Sequence, residues 1–494
     1  MVSSTINSFS ENRLRVALPT NKSFTEFEPT QIHLAHEYMF LENIYSSLVE
    51  INPKNGMIQS GIASEFDWVG DDLRLMIRKG LKTRSGHEID SDDVIFSLKR
   101  LLVLSGNTHG NFKDLVCPGI DLKSVAQTCS GIRKDGGNVI LTAGKKKSFL
   151  LPMLAAADFS IIPKHAVDPK TLKIKDYSET SGAYSVTGLD SKGNIELEIN
   201  KSHYHYSTDI AQKVSFVPIE TKESGAALTA FKNNLVDHLM TSSGSQVEDL
   251  IRYASENSDV QAHPTQKIRT IVLVFTNRGE QELSQSQRRY IALKIKNAFS
   301  HIYSAAPGFE NATEYFPALG AGGLSIPQQH ELEKVWIDTQ ETKIPKFKLS
   351  IVRSGNTDQW SLPVKSEFPL VEIQTGRLAP SFIKYQRPDD EPHAYIVATD
   401  TGFFEDIGLI SYSLSSGLLG LTLQERQEWL ADYMSLDDRK IRIEKLQKLH
   451  FQALMKPVTV PLVVSPFVAL TNKHWKMELS DLFANNQLWL IKHQ

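Results

Sequence analysis

The feature that most constrains the fold of this chain is a strand, a turn and a helix in close succession over residues 73–102. Leu73, Leu75 and Ile77 alternate with residues of the opposite face, which predicts a strand with one buried side. Ser85 and Gly86 are turn residues. The block therefore predicts a strand and then a tight turn.

A helix is predicted from about residue 91. Ser91 is expected to cap it, and Asp92 and Asp93 would lie in its first turn, where the helix dipole favours negative charge. One apolar face follows, formed by Val94, Leu98, Leu101 and Leu102. Similar strand and helix patterns recur along the chain and predict an α/β fold. The strands are expected at 14–18, 195–199, 270–279, 346–352 and 394–398, and the helices at 37–48 and 441–454.

The order of these pieces resembles a known family. Ile44-Tyr45 with Leu48-Val49 comes first, followed by LRLMIRKGLKTRSGHEI and DSDDVIFSLKRL over 73–101. This block resembles that of the family 5 extracellular solute-binding proteins, the receptors for oligopeptides, dipeptides and nickel chelates. The segment 148–167 and the Gly182-Ala183-Tyr184 turn, where the family has Gly-Pro-Tyr, extend the match.

The resemblance implies a type II periplasmic-binding-protein-like fold with two main lobes and a small insert lobe around a hinged cleft. The implied boundaries are 1–30, 178–263 and 456–494 for lobe I, 31–177 for the insert lobe and 264–455 for lobe II. Two crossings between the lobes imply the hinge.

Composition excludes several classes of protein. Hydrophobic residues make up 41% and charged residues 22% of the 494 positions, with a formal net charge of −3. Such a balance provides neither the basic surface that nucleic acid requires nor a polybasic membrane patch. The longest apolar run, 149–157, contains Pro152 and is far shorter than the roughly 20 residues of a membrane span.

The compartment is ambiguous from the sequence. Residues 1–14 lack the charged and apolar regions of a signal peptide. Because the family implies export, either a leader was removed or the protein stays inside the cell. We expect a periplasmic or cell-surface location, with a cytoplasmic one as the alternative.

Cys117 and Cys129 are the two cysteines of the chain. In an oxidising compartment they could pair, and closing so short a loop would stabilise the fold by on the order of 3 kcal/mol in the chain-entropy model. Two buried thiols are the alternative, and no accompanying histidine pattern indicates a metal site.

Known catalytic and cofactor motifs are absent from the sequence. It contains no His-Glu-x-x-His, Gly-x-Ser-x-Gly, Walker or dinucleotide-binding pattern. His33 with His36, and His203 with His205, have spacings that would share a face. Hydrogen-bonded or exposed imidazoles are commoner than metal ligands. We therefore predict neither a cofactor nor a metal, and no enzyme activity.

The family resemblance implies a first ligand-binding segment in an extended loop before the first helix. Counting back from Ile44 places Gln31 to His36 there, so the predicted ligand residues are His33, Leu34, Ala35 and His36. Backbone groups would pair with an extended peptide whatever its side chains. The alternative is that both histidines only cap or solvate the loop.

The resemblance implies a second wall in a turn whose first aspartate pairs with the ammonium of a peptide. The matching stretch is 397–414, where Asp406 falls near the second aspartate of the family and Phe403 or Phe404 occupies the place of the first. Asp400, three residues before Phe403, would take the role of the first aspartate if the loop differs in spacing from that of the family. Phe403 and Phe404 would otherwise stack on a ligand that lacks a free amine, or simply belong to the core.

The resemblance, together with the absence of catalytic motifs, implies a non-catalytic receptor that traps a short peptide or similar-sized solute and delivers it to the permease of an ABC importer. We expect a monomer that does not bind nucleic acid. The first alternative is an intracellular ligand-sensing domain of the same fold, since relatives exist fused to transcription regulators. The second is an enzyme with its site in the cleft.

Overall fold

The computed structural model describes most of the chain. The described residues are 12–20, 23–32, 35–105, 110–143, 149–219, 225–240, 246–316, 322–352, 357–376, 383, 385–400, 419–436, 438–484 and 487–494.

Strands and helices are numbered in chain order. The strands are β1 (Arg13–Leu18), β2 (Val49–Ile51), β3 (Ile58–Ser60), β4 (Ala63–Val69), β5 (Asp72–Ile77), β6 (Ile132–Asp135), β7 (Asn138–Thr142), β8 (Tyr184–Leu189), β9 (Ile195–Ile199), β10 (Lys213–Pro218), β11 (His238–Met240), β12 (Val260–Pro264), β13 (Arg269–Phe275), β14 (Glu310–Asn311), β15 (Lys348–Val352), β16 (Glu372–Gly376), β17 (Ala394–Asp400), β18 (Thr459–Ser465), β19 (Val468–Asn472), β20 (Trp475–Met477) and β21 (Ile491–His493). The helices are α1 (Ala35–Ile44), α2 (Ser91–Leu104), α3 (Gly110–Val116), α4 (Leu150–Leu154), α5 (Ala226–Lys232), α6 (Val247–Glu256), α7 (Asn277–Glu282), α8 (Gln285–Tyr303), α9 (Ile326–Ile337), α10 (Asp358–Glu367), α11 (Leu423–Met434) and α12 (Arg439–Met455).

The strand–turn–helix block lies in a four-stranded sheet of order β4-β5-β7-β6. The predicted alternation is confirmed in β5, where Leu73, Leu75 and Ile77 are buried. The predicted cap is wrong by one residue. Asp90 caps α2, because its Oδ1 accepts hydrogen bonds from the amides of Asp92 (2.8 Å) and Asp93 (3.1 Å).

A seven-stranded sheet of order β12-β19-β11-β1-β10-β9-β8 forms the first main lobe. Its central strand β1 runs parallel to β10 and β11, and β19 runs antiparallel to β11 and β12. A six-stranded sheet of order β14-β18-β13-β17-β15-β16 forms the second, in which β15 runs parallel to β16 and β17. We call these bodies the four-, seven- and six-stranded lobes.

Packing differs from the expected lobe boundaries at two places. Helix α1 was expected in the insert lobe, but its buried side chains, such as Phe40, pack in one cluster with Leu14 and Val16 of the seven-stranded sheet. Strand β18 was expected in lobe I, but it pairs with β13 in the six-stranded sheet. The chain therefore returns to the seven-stranded sheet at Val468.

Helix α1 is also shorter than predicted. It ends at Ile44 instead of Leu48, because the carbonyl oxygen of Ile44 accepts a hydrogen bond from the amide of Gly182 (2.9 Å). The amide of Ser46 then donates to the hydroxyl of Ser181 (3.1 Å). Bonds to a distant turn thus replace the next helical turn.

Candidate interlobe binding site

The parallel strands of the seven-stranded sheet end at one common edge. The register of β1, β10 and β11 places Leu18 beside Pro218, with Met240 at the end of the neighbouring strand. Residues 21–22, 220–224 and 241–245, which follow β1, β10 and β11 in the chain, lie outside the described residues. In open α/β sheets, ligands bind outside the carboxyl ends of the strands. This edge is therefore the first candidate wall of a binding site.

The six-stranded sheet has an equivalent edge. Val352 pairs with Gly376 at the ends of β15 and β16, and Arg269 at the start of antiparallel β13 pairs with both Asp400 and Ser465. Residues 353–356, 377–382 and 401–418, which follow β15, β16 and β17 in the chain, also lie outside the described residues. This edge is the second candidate wall.

Two crossings join these edges side by side. The chain passes from β12 to β13 through 265–268 and from β18 to β19 through 466–467. The amide of Thr265 donates to the carbonyl oxygen of Phe467 (2.9 Å), and the amide of Phe467 donates to the hydroxyl of Thr265 (3.0 Å). Short paired segments of this kind between two sheets act as a hinge.

Arg269 places a guanidinium beside these crossings. The side chain is only 8% exposed, and its guanidinium carbon lies 5.0 Å from the ring centroid of Phe467. Guanidinium groups are weakly hydrated and stack well on aromatic rings, so this packing is favourable in a partly dry site. A positive charge consequently lies where the carboxyl ends of both sheets meet.

The buried imidazole of His450 is linked through Tyr315 to the end of β17. His450 accepts a hydrogen bond at Nε2 from the amide of Tyr315 (3.0 Å), and its Nδ1 donates to the carbonyl oxygen of Gly322 (2.9 Å). Burial lowers the pKa of His450 to about 4, so the ring is neutral at pH 7. The hydroxyl of Tyr315 shares a hydrogen bond with that of Thr399 (3.2 Å). This series of hydrogen bonds holds Thr399, the residue before Asp400, in place.

The first predicted ligand segment is only partly described. His33 and Leu34 lie outside the described residues. Ala35 and His36 form the first turn of α1 instead of an extended loop, and the His36 ring lies 5.8 Å from that of Phe27. The extended-loop expectation is therefore wrong for Ala35 and His36.

The second predicted segment is described only at its start. Asp400 is the last residue of β17, and its backbone pairs with Arg269 at the cleft edge. Phe403, Phe404 and Asp406 lie outside the described residues. The structure thus brings Asp400 to the hinge, while a role for these four residues in binding stays a prediction.

Cys117 and Cys129 form a disulfide in the four-stranded lobe, with Cα atoms 5.4 Å apart. Both are buried at the junction of α3 with the loop before β6. The bond lies away from the hinge and contributes to the core of this lobe alone.

The histidine pair at 203 and 205 lies between the four- and seven-stranded lobes. His203 Nε2 lies 3.0 Å from the hydroxyl of Ser46, and His205 Nε2 lies 2.8 Å from a carboxylate oxygen of Glu50. Burial lowers the pKa of His203 well below its ordinary value. Within the described ranges, no three His, Cys, Asp or Glu side chains form a group that would hold a metal ion.

Sequence reasoning missed Arg269 and Phe467. The available signals were weak: an arginine that opens the apolar run 269–275, and an aromatic residue between Pro466 and a second apolar run. Only the pairing of the two crossings brings these residues together.

Comparison with known proteins agrees with this architecture. Residues 58–301 match the family model of the bacterial extracellular solute-binding proteins, family 5 Middle. This segment belongs to family 5. The matched residues include the strand–turn–helix block and the first crossing.

The curated relatives are similar over a shorter stretch. The transcriptional regulator SgrR of Escherichia coli, described as HTH-type, is 34% identical over 90 residues in strain 536 and 33% in strain K12. These alignments span 18% of this chain and 15% of the length of the regulator.

Solved structures are similar over almost the whole chain. Brucella suis NikA in complex with Fe(III)-EDTA has a TM-score of 0.75 at 14% identity, covering 98% of this chain and 100% of that one. Haemophilus influenzae OppA in complex with RPPGFSPFR and the Escherichia coli murein tripeptide binding protein MppA both have TM-scores of 0.72 at 15% identity, covering 98% and 99%. The fold is the predicted type II binding-protein fold with two main lobes and an insert lobe.

Proposed function

We propose that this chain is a non-catalytic receptor that traps a short peptide or similar-sized solute between its two main lobes and delivers it to an ABC importer. One observation carries the proposal. The carboxyl edges of two sheets meet at two hydrogen-bonded crossings, so a solute held at one edge can be covered by the other. A receptor of this kind is recognised by its transporter in the closed form.

The proposed solute class rests on relatives of the same fold. The OppA structure contains a nonapeptide, MppA binds a murein tripeptide, and NikA contains an iron chelate. A peptide is the best single candidate, because backbone pairing tolerates different side chains. The buried guanidinium of Arg269 at the cleft edge suits a solute that carries a carboxylate.

An exported location agrees with the disulfide between Cys117 and Cys129. Structural disulfides persist in oxidising compartments and are rare in the cytosol. Within the described residues, no helix has the length and apolar character that crossing a membrane requires. We propose a periplasmic or cell-surface monomer that does not bind nucleic acid.

A second candidate is a ligand-sensing domain of a transcription regulator. The local identity with SgrR favours it. The two candidates differ in compartment, so the cysteines should be oxidised in cells for a receptor and reduced for a cytosolic sensor. Thiol trapping before lysis would separate them. A cleft enzyme is a third candidate, and hydrolysis of a bound solute would support it.

We further propose that the chain divides into the three lobes that the sheets define. The boundaries follow the strands: 63–142 for the four-stranded sheet, 269–465 for the six-stranded sheet and the remaining strands mainly for the seven-stranded one.

Native mass spectrometry of the purified protein, before and after denaturation, tests the function. A discrete added mass that is lost on denaturation would support a receptor, and masses spaced by amino-acid residues would identify peptides. Failure to bind any member of a peptide, sugar and chelate panel in thermal-shift assays would contradict the proposal.

A further inference from the structure

Helix α4 presents different side chains to two different lobes. Leu150 and Leu154 are fully buried in the core of the four-stranded lobe. Phe149, just before the helix, and Met153 are also four positions apart and therefore share a face. Phe149 packs in a second cluster, with side chains of the six-stranded lobe, and Met153 packs against both clusters.

Phe149 is the centre of this second contact. Its side chain is only 1% exposed. The guanidinium carbon of Arg442 lies 4.5 Å from the centroid of its ring, and the ring of Tyr433 lies 6.1 Å away. A cation over an aromatic face and a tilted aromatic pair are both favourable arrangements.

The surroundings of the ring are well ordered by the six-stranded lobe itself. Arg442 Nη1 donates to the carbonyl oxygen of Leu436 (3.0 Å), and Tyr433 stacks on Trp429 with ring centroids 4.9 Å apart. The same cluster contains Val272 and Tyr395 from the six-stranded sheet. Phe149 thus packs into the core of the six-stranded lobe, although the helix that follows it packs in the four-stranded lobe.

The four-stranded lobe is bonded to the seven-stranded lobe by a separate set of contacts. Glu179 accepts hydrogen bonds from Thr83 and Ser85. Arg100 donates from Nη1 and Nη2 to the two carboxylate oxygens of Glu28, at 2.9 and 2.6 Å. Rotation about the crossings at 265–268 and 466–467 would therefore carry the four-stranded lobe away from the six-stranded lobe. Phe149 would leave its site when the cleft opens.

We propose that Phe149 is an interlobe latch, a positioning residue that stabilises the closed state without touching the solute. A contact made only in the closed state shifts the population towards that state. The link to solute retention rests on the proposed receptor function, whereas the latch itself is a property of the solute-free protein.

Small-angle X-ray scattering of the solute-free chain tests the latch, after unfolding and refolding to remove any co-purified molecule. We expect Phe149→Ala to increase the radius of gyration and the maximum dimension. The matched control is Leu154→Ala on the same helix, which truncates a buried side chain of the other face and should scatter like the wild type. Met153→Ala, a milder change of the latch face, should produce a smaller expansion.

Folding of each variant is verified by circular dichroism. A folded Phe149→Ala or Met153→Ala protein that scatters like the wild type would overturn the proposal, as would an equal expansion of a folded Leu154→Ala protein. No solute is added, so an expansion confined to the latch face supports the latch even if the receptor function fails. Binding of a peptide by a variant that does not expand would support the receptor and sink the latch.

Discussion

The four-stranded lobe contacts its two neighbours through chemically different surfaces. Towards the seven-stranded lobe, its Thr83, Ser85 and Arg100 donate hydrogen bonds to the carboxylates of Glu179 and Glu28. Towards the six-stranded lobe it uses the Phe149 ring and Met153. Breaking charged hydrogen bonds in a dry site leaves unsatisfied groups, whereas the cost of separating apolar side chains is set mainly by the apolar area that is exposed. The first contact is therefore built to persist and the second to open.

The largest effect that we expect at a contact between lobes is at the polar contact with the seven-stranded lobe. Burial opposes ionisation of Glu179, but hydrogen bonds from Thr83, Ser85 and His165 outweigh it and lower the pKa to about 2. We expect Glu179→Gln to reduce the free energy of unfolding by about 3 kcal/mol at pH 7, since charge-assisted bonds are lost. Urea denaturation measures this loss, with the exposed Glu333→Gln as control.

The pH dependence of that loss follows from the direction of the shift. Because the folded pKa lies below the ordinary value of 4.5, the unfolded state binds the proton more readily between these values. The contribution of Glu179 is complete above about pH 4.5 and disappears towards pH 2. A gap between variant and wild type that stays constant from pH 7 to 3 would contradict this assignment.

The disulfide provides a change that belongs to neither contact. It lies in the core of the four-stranded lobe, so a Cys117→Ser, Cys129→Ser variant should lose about 3 kcal/mol of stability by the loop-entropy model. We expect its scattering profile to match that of the wild type. An expanded profile for the folded variant would show that the lobe contacts depend on this bond.

Gly182 lies in the turn that follows Glu179, and this turn has no room for a side chain at that position. A Cβ there would overlap the carbonyl carbon of Ile44 and lie 2.7 Å from the carbonyl oxygen of Asn43. We expect Gly182→Ala to cost about 2 kcal/mol, as overpacking commonly does. Gly137→Ala is the matched control, since its Cβ would meet no atom within 4 Å. Equal stabilities of the two variants in thermal denaturation would refute the account of this turn.

The smallest expected effect on stability is at the latch. Truncating a permanently buried Phe costs about 3–5 kcal/mol, and Phe112→Ala in the four-stranded core should fall in that range. Phe149→Ala should cost only about 1 kcal/mol, because an open form without this contact remains folded. Equal losses in urea denaturation would mean that Phe149 is an ordinary core residue.

These contrasts also explain what the sequence could predict. The alternation of Leu73, Leu75 and Ile77 is a local signal, so the strand was predictable. The end of α1 was not, because the bond that replaces its last turn comes from Gly182, far along the chain. Similarly, the run from Phe149 to Met153 is simply apolar in sequence, and only Tyr433 and Arg442 reveal that it has two faces.

The predicted site residues differ in how well the sequence located them in the fold. The family resemblance led to Asp400, which lies at the carboxyl edge of its sheet. Arg269 was missed because its position depends on strand register, which sequence patterns specify poorly. Ala35 and His36 were placed in a loop because counting from Ile44 cannot detect where a helix begins.

The central claim is that the four-stranded lobe moves with the seven-stranded lobe and closes against the six-stranded lobe. Electron–electron distance measurements between nitroxide labels test it most directly, using the exposed positions Lys79, Lys192 and Glu333, one in each lobe and each replaced by cysteine in pairs. With Phe149→Ala added, we predict an unchanged Lys79–Lys192 distance and a longer Lys79–Glu333 distance. A longer Lys79–Lys192 distance, or an unchanged Lys79–Glu333 distance, would contradict the account.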